Sequence, residues 1–169
     1  MSSQIYLKLI MIGGNQVRGE ASDAGYEDQI EIENFGWGMS PRDPKKVSKA
    51  TAQAAFSADK LKLTKFYDVA STALAKHLAG RVAFKSAKLT VDHLRQNVGE
   101  ARKANPMMII ELRDGFIEDI NLSVSEGGKS VAVREVLNLS WKEVTVTYHP
   151  STADRTRRQA AVTFSAKID

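Results

Sequence analysis

Cysteine is absent from this chain of 169 residues, and aromatic residues make up only 7% of it. Without cysteine the protein has neither disulfides nor thiolate metal ligands. The small number of aromatic side chains argues against recognition of nucleic acid by base stacking. No apolar run approaches the roughly 18 residues that a membrane-spanning helix requires, so membrane insertion is not expected. At this length we expect residues 1–169 to form one domain with its own core.

Charge is unevenly distributed along the chain, although the net charge is only +4. Between positions 20 and 33 there are six acidic residues and no basic one: Glu20, Asp23, Glu27, Asp28, Glu31 and Glu33. Between Lys76 and Lys103, seven basic residues stand against two acidic ones. Such segregation is compatible with nucleic-acid binding, and equally with docking onto another copy of the same chain.

Alternation of apolar and polar residues predicts a mainly β protein. Between Gln29 and Trp37, Ile30 and Ile32 fall on one face and Glu31 on the other, which predicts one half-buried strand. Further strands are predicted at Ile5 to Ile12, Lys60 to Phe66, Val82 to Leu94, Met107 to Arg113, Phe116 to Val124, Val131 to Tyr148 and Ala161 to Lys167. Roughly eight strands favour an antiparallel β-barrel, closed or nearly closed, because closure removes exposed edges.

One short helix and two tight reversals are also predicted. Ser71 is expected as the N-cap, Leu74 and Leu78 share one face, and Gly80 follows as a C-terminal cap. The dipeptides Asp114-Gly115 and Gly127-Gly128 favour tight turns between strands.

The long connection from Met39 to Ala58 stands apart from this strand pattern. Pro41 and Pro44 oppose a continuous ladder, and Ser48 to Phe56 could be helical if it docked on another surface. A connection of this length without obvious structure is more often a binding element or a disordered lid.

Catalytic, cofactor and metal sites are not expected. The three histidines, His77, His93 and His149, are scattered, and no nucleophile and base stand at a recognisable spacing. Glu31 and Glu33 could form a metal or acid-base cluster, but their shared outward strand face favours a solvated or interface role. The basic cluster ADRTRRQ, with Arg155, Arg157 and Arg158, is interpreted as a solvated loop or an intersubunit patch.

Four separated segments resemble, in order and spacing, the Hcp (haemolysin-coregulated protein) family of bacterial type VI secretion systems. They are IYLKLIMI leading through Gly19-Glu20 and the acidic loop to EIENFGWG, then LKLTKFYDVASTALAKHLAG, MMIIELRDGFIEDINLSVS and REVLNLSWKEVTVTYHP. Together they cover most of the chain. Tyr26 departs from the pattern, because many relatives carry histidine there.

The resemblance implies a structural role and no enzymatic activity. Hexameric rings would stack into a hollow tube that a contractile sheath fires from the cell, with effectors carried in the lumen. The implied partners are other copies of the chain and the sheath, spike and effector proteins of the machine, with no nucleic acid. The protein would stand in the bacterial cytoplasm before firing and be secreted without a signal peptide, since Ile5 to Ile12 is interpreted as a first strand.

Segregated charge suits head-to-tail stacking, which joins two different faces of one molecule. We hypothesise that an acidic surface meets a basic one of the neighbouring ring. The acidic candidates are Glu20, Asp28, Glu31 and Glu33, and the basic candidates in the connection are Arg42, Lys45, Lys46 and Lys49. Two alternatives remain open: a phage-like tail tube subunit, and a small basic barrel that binds nucleic acid.

Overall fold

The computed structural model describes residues 4–41, 56–93, 104–127, 130–150 and 160–168. Within these ranges the chain forms twelve strands and one helix, which confirms a mainly β fold with more strands than the eight expected. The strands are β1 (Ile5–Met11), β2 (Ile30–Ile32), β3 (Asn34–Gly36), β4 (Met39–Pro41), β5 (Phe56–Ala58), β6 (Leu61–Phe66), β7 (Phe84–Asp92), β8 (Pro106–Gly115), β9 (Ile117–Gly127), β10 (Ser130–Leu139), β11 (Glu143–Tyr148) and β12 (Val162–Lys167). The helix α1 (Ser71–Ala79) follows β6.

Two large antiparallel sheets enclose one core. The six-stranded sheet has the order β12-β11-β8-β7-β1-β2, the four-stranded sheet has the order β3-β6-β10-β9, and β4 pairs with β5 in a small ribbon. In the part of the chain that the structure describes, the sheets are therefore separate and do not close into one barrel. Fully buried core side chains come from both large sheets, including Leu7, Leu9, Leu89, Leu61, Leu63 and Leu137.

The predicted strand from Gln29 to Trp37 is divided between the two sheets. Its first part, β2, pairs with β1, and its second part, β3, pairs with β6. Between them, the backbone N–H of Glu33 donates to the carbonyl of Thr64 at 2.8 Å. Ile30 and Ile32 are both fully buried, so the predicted faces are confirmed. The segment forms a corner of the sandwich, where one extended stretch leaves the first sheet and enters the second.

Asp114-Gly115 forms a second crossing, and the predicted tight reversal there is wrong. Strands β8 and β9 belong to different sheets. Asp114 has a φ of 55°, and a Cβ added at Gly115 would lie 1.8 Å from the carbonyl oxygen of Ser140. Only glycine fits where the chain changes sheets. The reversal at Gly127 is confirmed, since β9 and β10 pair antiparallel with Gly127 opposite Ser130.

Helix α1 begins one residue differently from the prediction. Ala70 is the N-cap, and Ser71 is the first helical residue and is almost fully buried. The Ser71 hydroxyl donates to the Glu135 carboxylate on β10 at 2.7 Å, so it tethers the helix to the sheet instead of capping it. Gly80 ends the helix as predicted, with its N–H bonded to the Lys76 carbonyl. Among the described residues, α1 is too short and too polar for a membrane-spanning helix.

Both ends of the Met39 to Ala58 connection carry structure that the sequence did not reveal. Met39 pairs with Ala58 and Pro41 with Phe56, so the ends form the two-stranded β4–β5 ribbon. Phe56 therefore lies in a strand. The remainder of the helix considered for Ser48 to Phe56 lies outside the described residues, as do the arginines of the ADRTRRQ cluster.

Candidate functional site: an acidic groove at the sheet corner

A groove with a volume of about 870 Å³ opens beside the corner between β2 and β3. Its walls come from the segments around β1, β2, β6 and β7. The polar lining is almost entirely acidic, with the carboxylates of Glu20, Glu31, Glu33 and Asp68, and two aromatic side chains, Phe66 and Tyr67, lie beside them. Phe66 and Tyr67 are each 48% exposed. The groove therefore combines negative charge with accessible aromatic surface.

A closely held loop brings Glu20 to β2. The N–H of Gly19 donates to the carbonyl of Asp28 at 2.8 Å, and the N–H of Ala21 donates to that of Gln29 at 3.0 Å. A Cβ at Gly19 would lie 2.3 Å from the Gln29 carbonyl oxygen, so this approach requires glycine. The outcome is that Glu20, well separated in sequence from Glu31, lines the same groove.

Stacked tyrosines anchor the remainder of the acidic loop to the sheet. The rings of Tyr6 and Tyr26 are parallel within 4°, with centroids 4.2 Å apart. The Tyr6 hydroxyl donates to Asp23, and the Tyr26 hydroxyl donates to the buried carboxylate of Asp92. Burial, with this bond to Asp92, raises the pKa of Tyr26 above its usual range, so the phenol remains a donor. Tyr26 thus fixes the loop that contributes Glu20 to the groove.

At the corner, Glu33 has an arginine partner. Its carboxylate accepts two hydrogen bonds from Arg134, at 3.1 Å from Nε and 3.0 Å from Nη2. The guanidinium of Arg134 also lies 5.5 Å from the centroid of Phe66. Two-point pairing and stacking hold this arginine against Glu33 and Phe66, two residues of the groove lining.

Asp68 connects the groove to a buried ion network. Lys65 is fully buried, and its ammonium lies 2.8 Å from Asp68 and 2.7 Å from the buried carboxylate of Glu135. The Ser71 hydroxyl and the carbonyl of Phe66 accept from the same ammonium at 3.0 Å. The donors and acceptors of a buried charge are thus satisfied. This network fixes β6, β10 and the start of α1 beneath the groove.

Glu20 and Glu31 have no cationic side chain within ion-pair distance among the described residues. Burial raises the pKa of Glu31, and the charges of Asp23, Glu20 and Asp68 raise it further. The groove is therefore a surface on which carboxylates repel one another. A positively charged partner would relieve that repulsion.

The structure brings together three of the four acidic residues predicted for the site. Glu20, Glu31 and Glu33 line the groove. Asp28 does not, because it adopts a φ of 63° in the loop and pairs with Arg18 at 3.1 Å, with its side chain 56% exposed. The four predicted basic residues, Arg42, Lys45, Lys46 and Lys49, lie outside the described residues.

Sequence reasoning missed Asp68, Phe66 and the network around Lys65. Asp68 directly follows β6, and nothing in the local pattern separates it from an ordinary loop acid. In the described ranges, no group of three or more His, Cys, Asp or Glu side chains is arranged to hold a metal ion. The groove offers carboxylates and aromatic surface, both of which suit binding of a cation.

Comparisons with known proteins agree with the fold. Residues 6–148 match the family described as "Type VI secretion system effector, Hcp". A solved type six secretion system protein is similar at 21% identity, with 96% of this chain and 94% of that chain covered and a TM-score of 0.75. Hcp1 from Salmonella typhimurium is similar at 19% identity, with 99% and 96% covered and a TM-score of 0.70.

A baseplate chain of the anti-feeding prophage, six-fold symmetrised, is similar at 8% identity, with 97% and 94% covered and a TM-score of 0.53. No curated protein matches the chain. At these identities the solved structures show the shared fold, whereas the family match spans most of the sequence. The chain therefore belongs to the Hcp family of type VI secretion system tube proteins.

Proposed function

We propose that this type VI secretion tube subunit closes into hexameric rings, and that the rings stack head to tail into a hollow tube with effector proteins in its lumen. The similarity to a chain of a six-fold symmetrised baseplate supports the ring size. The sheath and spike of the machine are the further partners in this proposal. The subunit acts without catalysis, stands in the bacterial cytoplasm before firing and is then secreted from the cell.

The acidic groove carries the stacking part of the proposal. Glu20 and Glu31 line it without a cationic partner in the described residues. The connection between β4 and β5 supplies Arg42, Lys45, Lys46 and Lys49. Acidic and basic surfaces on one molecule allow the top of one ring to bind the bottom of the next, as a heterologous contact requires. The basic connection of one ring enters the acidic groove of its neighbour.

Charge reversal on either side tests this contact. The variant Lys45→Glu/Lys46→Glu and the variant Glu20→Lys/Glu31→Lys are each expected to give single rings instead of long tubes in negative-stain images. Mixing these two variants is expected to restore contacts between unlike rings. Tubes of the natural chain should shorten as salt rises, because screening weakens pairs between exposed charges.

Asp28→Lys provides a matched control, because Asp28 belongs to the same acidic segment but pairs with Arg18 away from the groove. It should form tubes of natural length. Equal loss of tubes in the control, or tubes indifferent to both reversals and to salt, would refute the electrostatic contact. If every variant still forms rings, the proposal of a six-membered ring holds even where the stacking contact is refuted.

A further inference from the structure

In the described part of the chain, two apolar surfaces are exposed at the ends of the two large sheets. The hairpin patch consists of Leu122 and Val124 on β9 with Val131 and Val133 on β10. Their exposed fractions are 56%, 60%, 74% and 38%. Soluble proteins usually scatter exposed apolar side chains singly, and contiguous patches mark interaction surfaces.

The hairpin patch is a continuation of the core face of its sheet. On β10, Leu137 and Glu135 are buried, and Val133 and Val131 follow at two-residue steps on the same face. Pairing with β6 stops at Arg134, opposite Phe66, so the end of the β9–β10 hairpin extends beyond the other strands of the sheet. Among the described residues, the apolar face therefore continues past the strands that cover the rest of it.

The terminal patch has the same origin in the six-stranded sheet. It consists of Tyr148 on β11 with Val162 and Phe164 on β12, which are 41%, 58% and 46% exposed. Tyr148 lies opposite Val162, and Val146 lies opposite Phe164. Val144, at a two-residue step from Val146 on β11, is fully buried. This patch too continues a core face into a region where the described residues leave it exposed.

Each patch includes a strand that lies at the end of its sheet. Strands β9 and β12 each end a sheet, so each has one backbone edge without a partner strand in the described part of the chain. The other two sheet ends, β2 and β3, continue into each other at the corner. An uncovered strand edge beside an uncovered apolar face is a surface that proteins ordinarily pair or cover.

We propose that the hairpin patch of one copy packs on the terminal patch of the next copy, and that this is the lateral contact within a ring. The inference rests on the proposed ring. The two patches differ in residues and belong to different sheets, so the contact is heterologous. A contact of that kind repeats around a ring, whereas contact between two identical patches would stop at a dimer.

Single charged substitutions with matched controls test the contact. Val124→Asp and Phe164→Asp place a carboxylate in each patch. Ser123→Asp and Thr163→Asp place the same charge one residue away, on the opposite and exposed face of the same strands. Native mass spectrometry should show loss of the six-copy species in the first two variants and its retention in the two controls.

Mixing the two patch variants distinguishes heterologous from isologous contact. Each variant keeps one intact patch, so an equal mixture should form pairs with one copy of each variant and nothing larger. If the patches met their own kind, each variant alone would retain one working contact and form dimers. Dimers in the separate samples, or no pairing in the mixture, would overturn the proposal.

Crosslinking provides a second readout, and it requires no substitution that places a charge in either patch. The chain has no cysteine, so Val124→Cys/Phe164→Cys can be joined by a short bis-maleimide. A ladder up to six copies is expected, with at most two copies for either single variant. If the natural chain forms rings and the double variant gives no ladder, the contact is wrong and the ring stands. If the natural chain is monomeric at high concentration, the proposed function fails and this contact with it.

Discussion

Replacing Lys65 by methionine tests how much the buried ion network contributes to stability. Methionine has a similar length and no charge, so the substitution removes the ammonium while filling most of the space. Lys65 and Glu135 are exposed by 0% and 1%, with Nζ and Oε2 2.7 Å apart. After the change, Glu135 keeps the Ser71 hydroxyl as a hydrogen-bond donor, at 2.7 Å.

The expected loss follows from leaving a carboxylate buried without its cation. Removing one partner of a buried pair costs about 3–5 kcal/mol. That is a large part of the roughly 5–15 kcal/mol that keeps a domain folded. The double variant Lys65→Met/Glu135→Leu removes both charges and should recover most of the loss, because apolar replacement of a buried pair is close to neutral. Asp68 still accepts from the N–H of Ala70 at 3.0 Å.

Urea unfolding at pH 7 measures both variants against the natural chain. The single variant should unfold at lower urea with an unchanged m value, and its thermal midpoint should fall by about 6–20 °C for a chain of this size. The double variant should lie between the two. A loss below about 1 kcal/mol in the single variant, or a double variant less stable than the single one, would contradict the reasoning.

Three further predictions concern the crossing, the groove and the loop anchor. Gly115→Ala should lower the free energy of unfolding in urea by about 1–3 kcal/mol or more, because a backbone oxygen occupies the space of the added Cβ. Gly36→Ala should leave stability unchanged, because no atom lies within 4 Å of that Cβ. Equal effects of the two substitutions would refute this reasoning. Glu31→Gln should raise the thermal midpoint at pH 7. The gain should disappear as the pH falls through the raised pKa of Glu31, because only the ionised carboxylate opposes folding. A gain that does not depend on pH would contradict this explanation. Tyr26→Phe should cost about 1–3 kcal/mol in urea, because Asp92 loses a buried donor; unchanged stability would show that this bond does not anchor the loop.

Local alternation located most of the long strands and their faces, but it missed the β4–β5 ribbon and could not assign strands to sheets. The period-two pattern from Gln29 to Trp37 continues without interruption, and both isoleucines are buried as predicted. The division at Glu33 depends on its bond to Thr64, a residue distant in sequence. The same limit applies at Asp114-Gly115, where the dipeptide indicates a special backbone conformation but not which strand follows as a neighbour.

The groove was partly predictable for a related reason. Glu31 and Glu33 share a strand face, so their proximity follows from local geometry. Glu20 reaches them only because Gly19 allows the backbone of the loop to approach Gln29. Asp28 has the same charge and a nearer position in sequence to Glu31, yet its backbone conformation and its pairing with Arg18 place it elsewhere. Charge segregation in sequence therefore overestimates how many acids share a surface.

Alternation in the sequence already indicates that Lys65 of the ion network is buried. Leu61, Leu63 and Lys65 occupy the same face of β6, so the pattern that buries both leucines also buries the lysine. A buried ammonium requires a carboxylate within reach. On β10, Glu135 shares a face with the buried Leu137, and the strand register places it directly opposite Lys65. A lysine and a glutamate at core positions of two strands thus predict that the strands are neighbours, and which residues face each other.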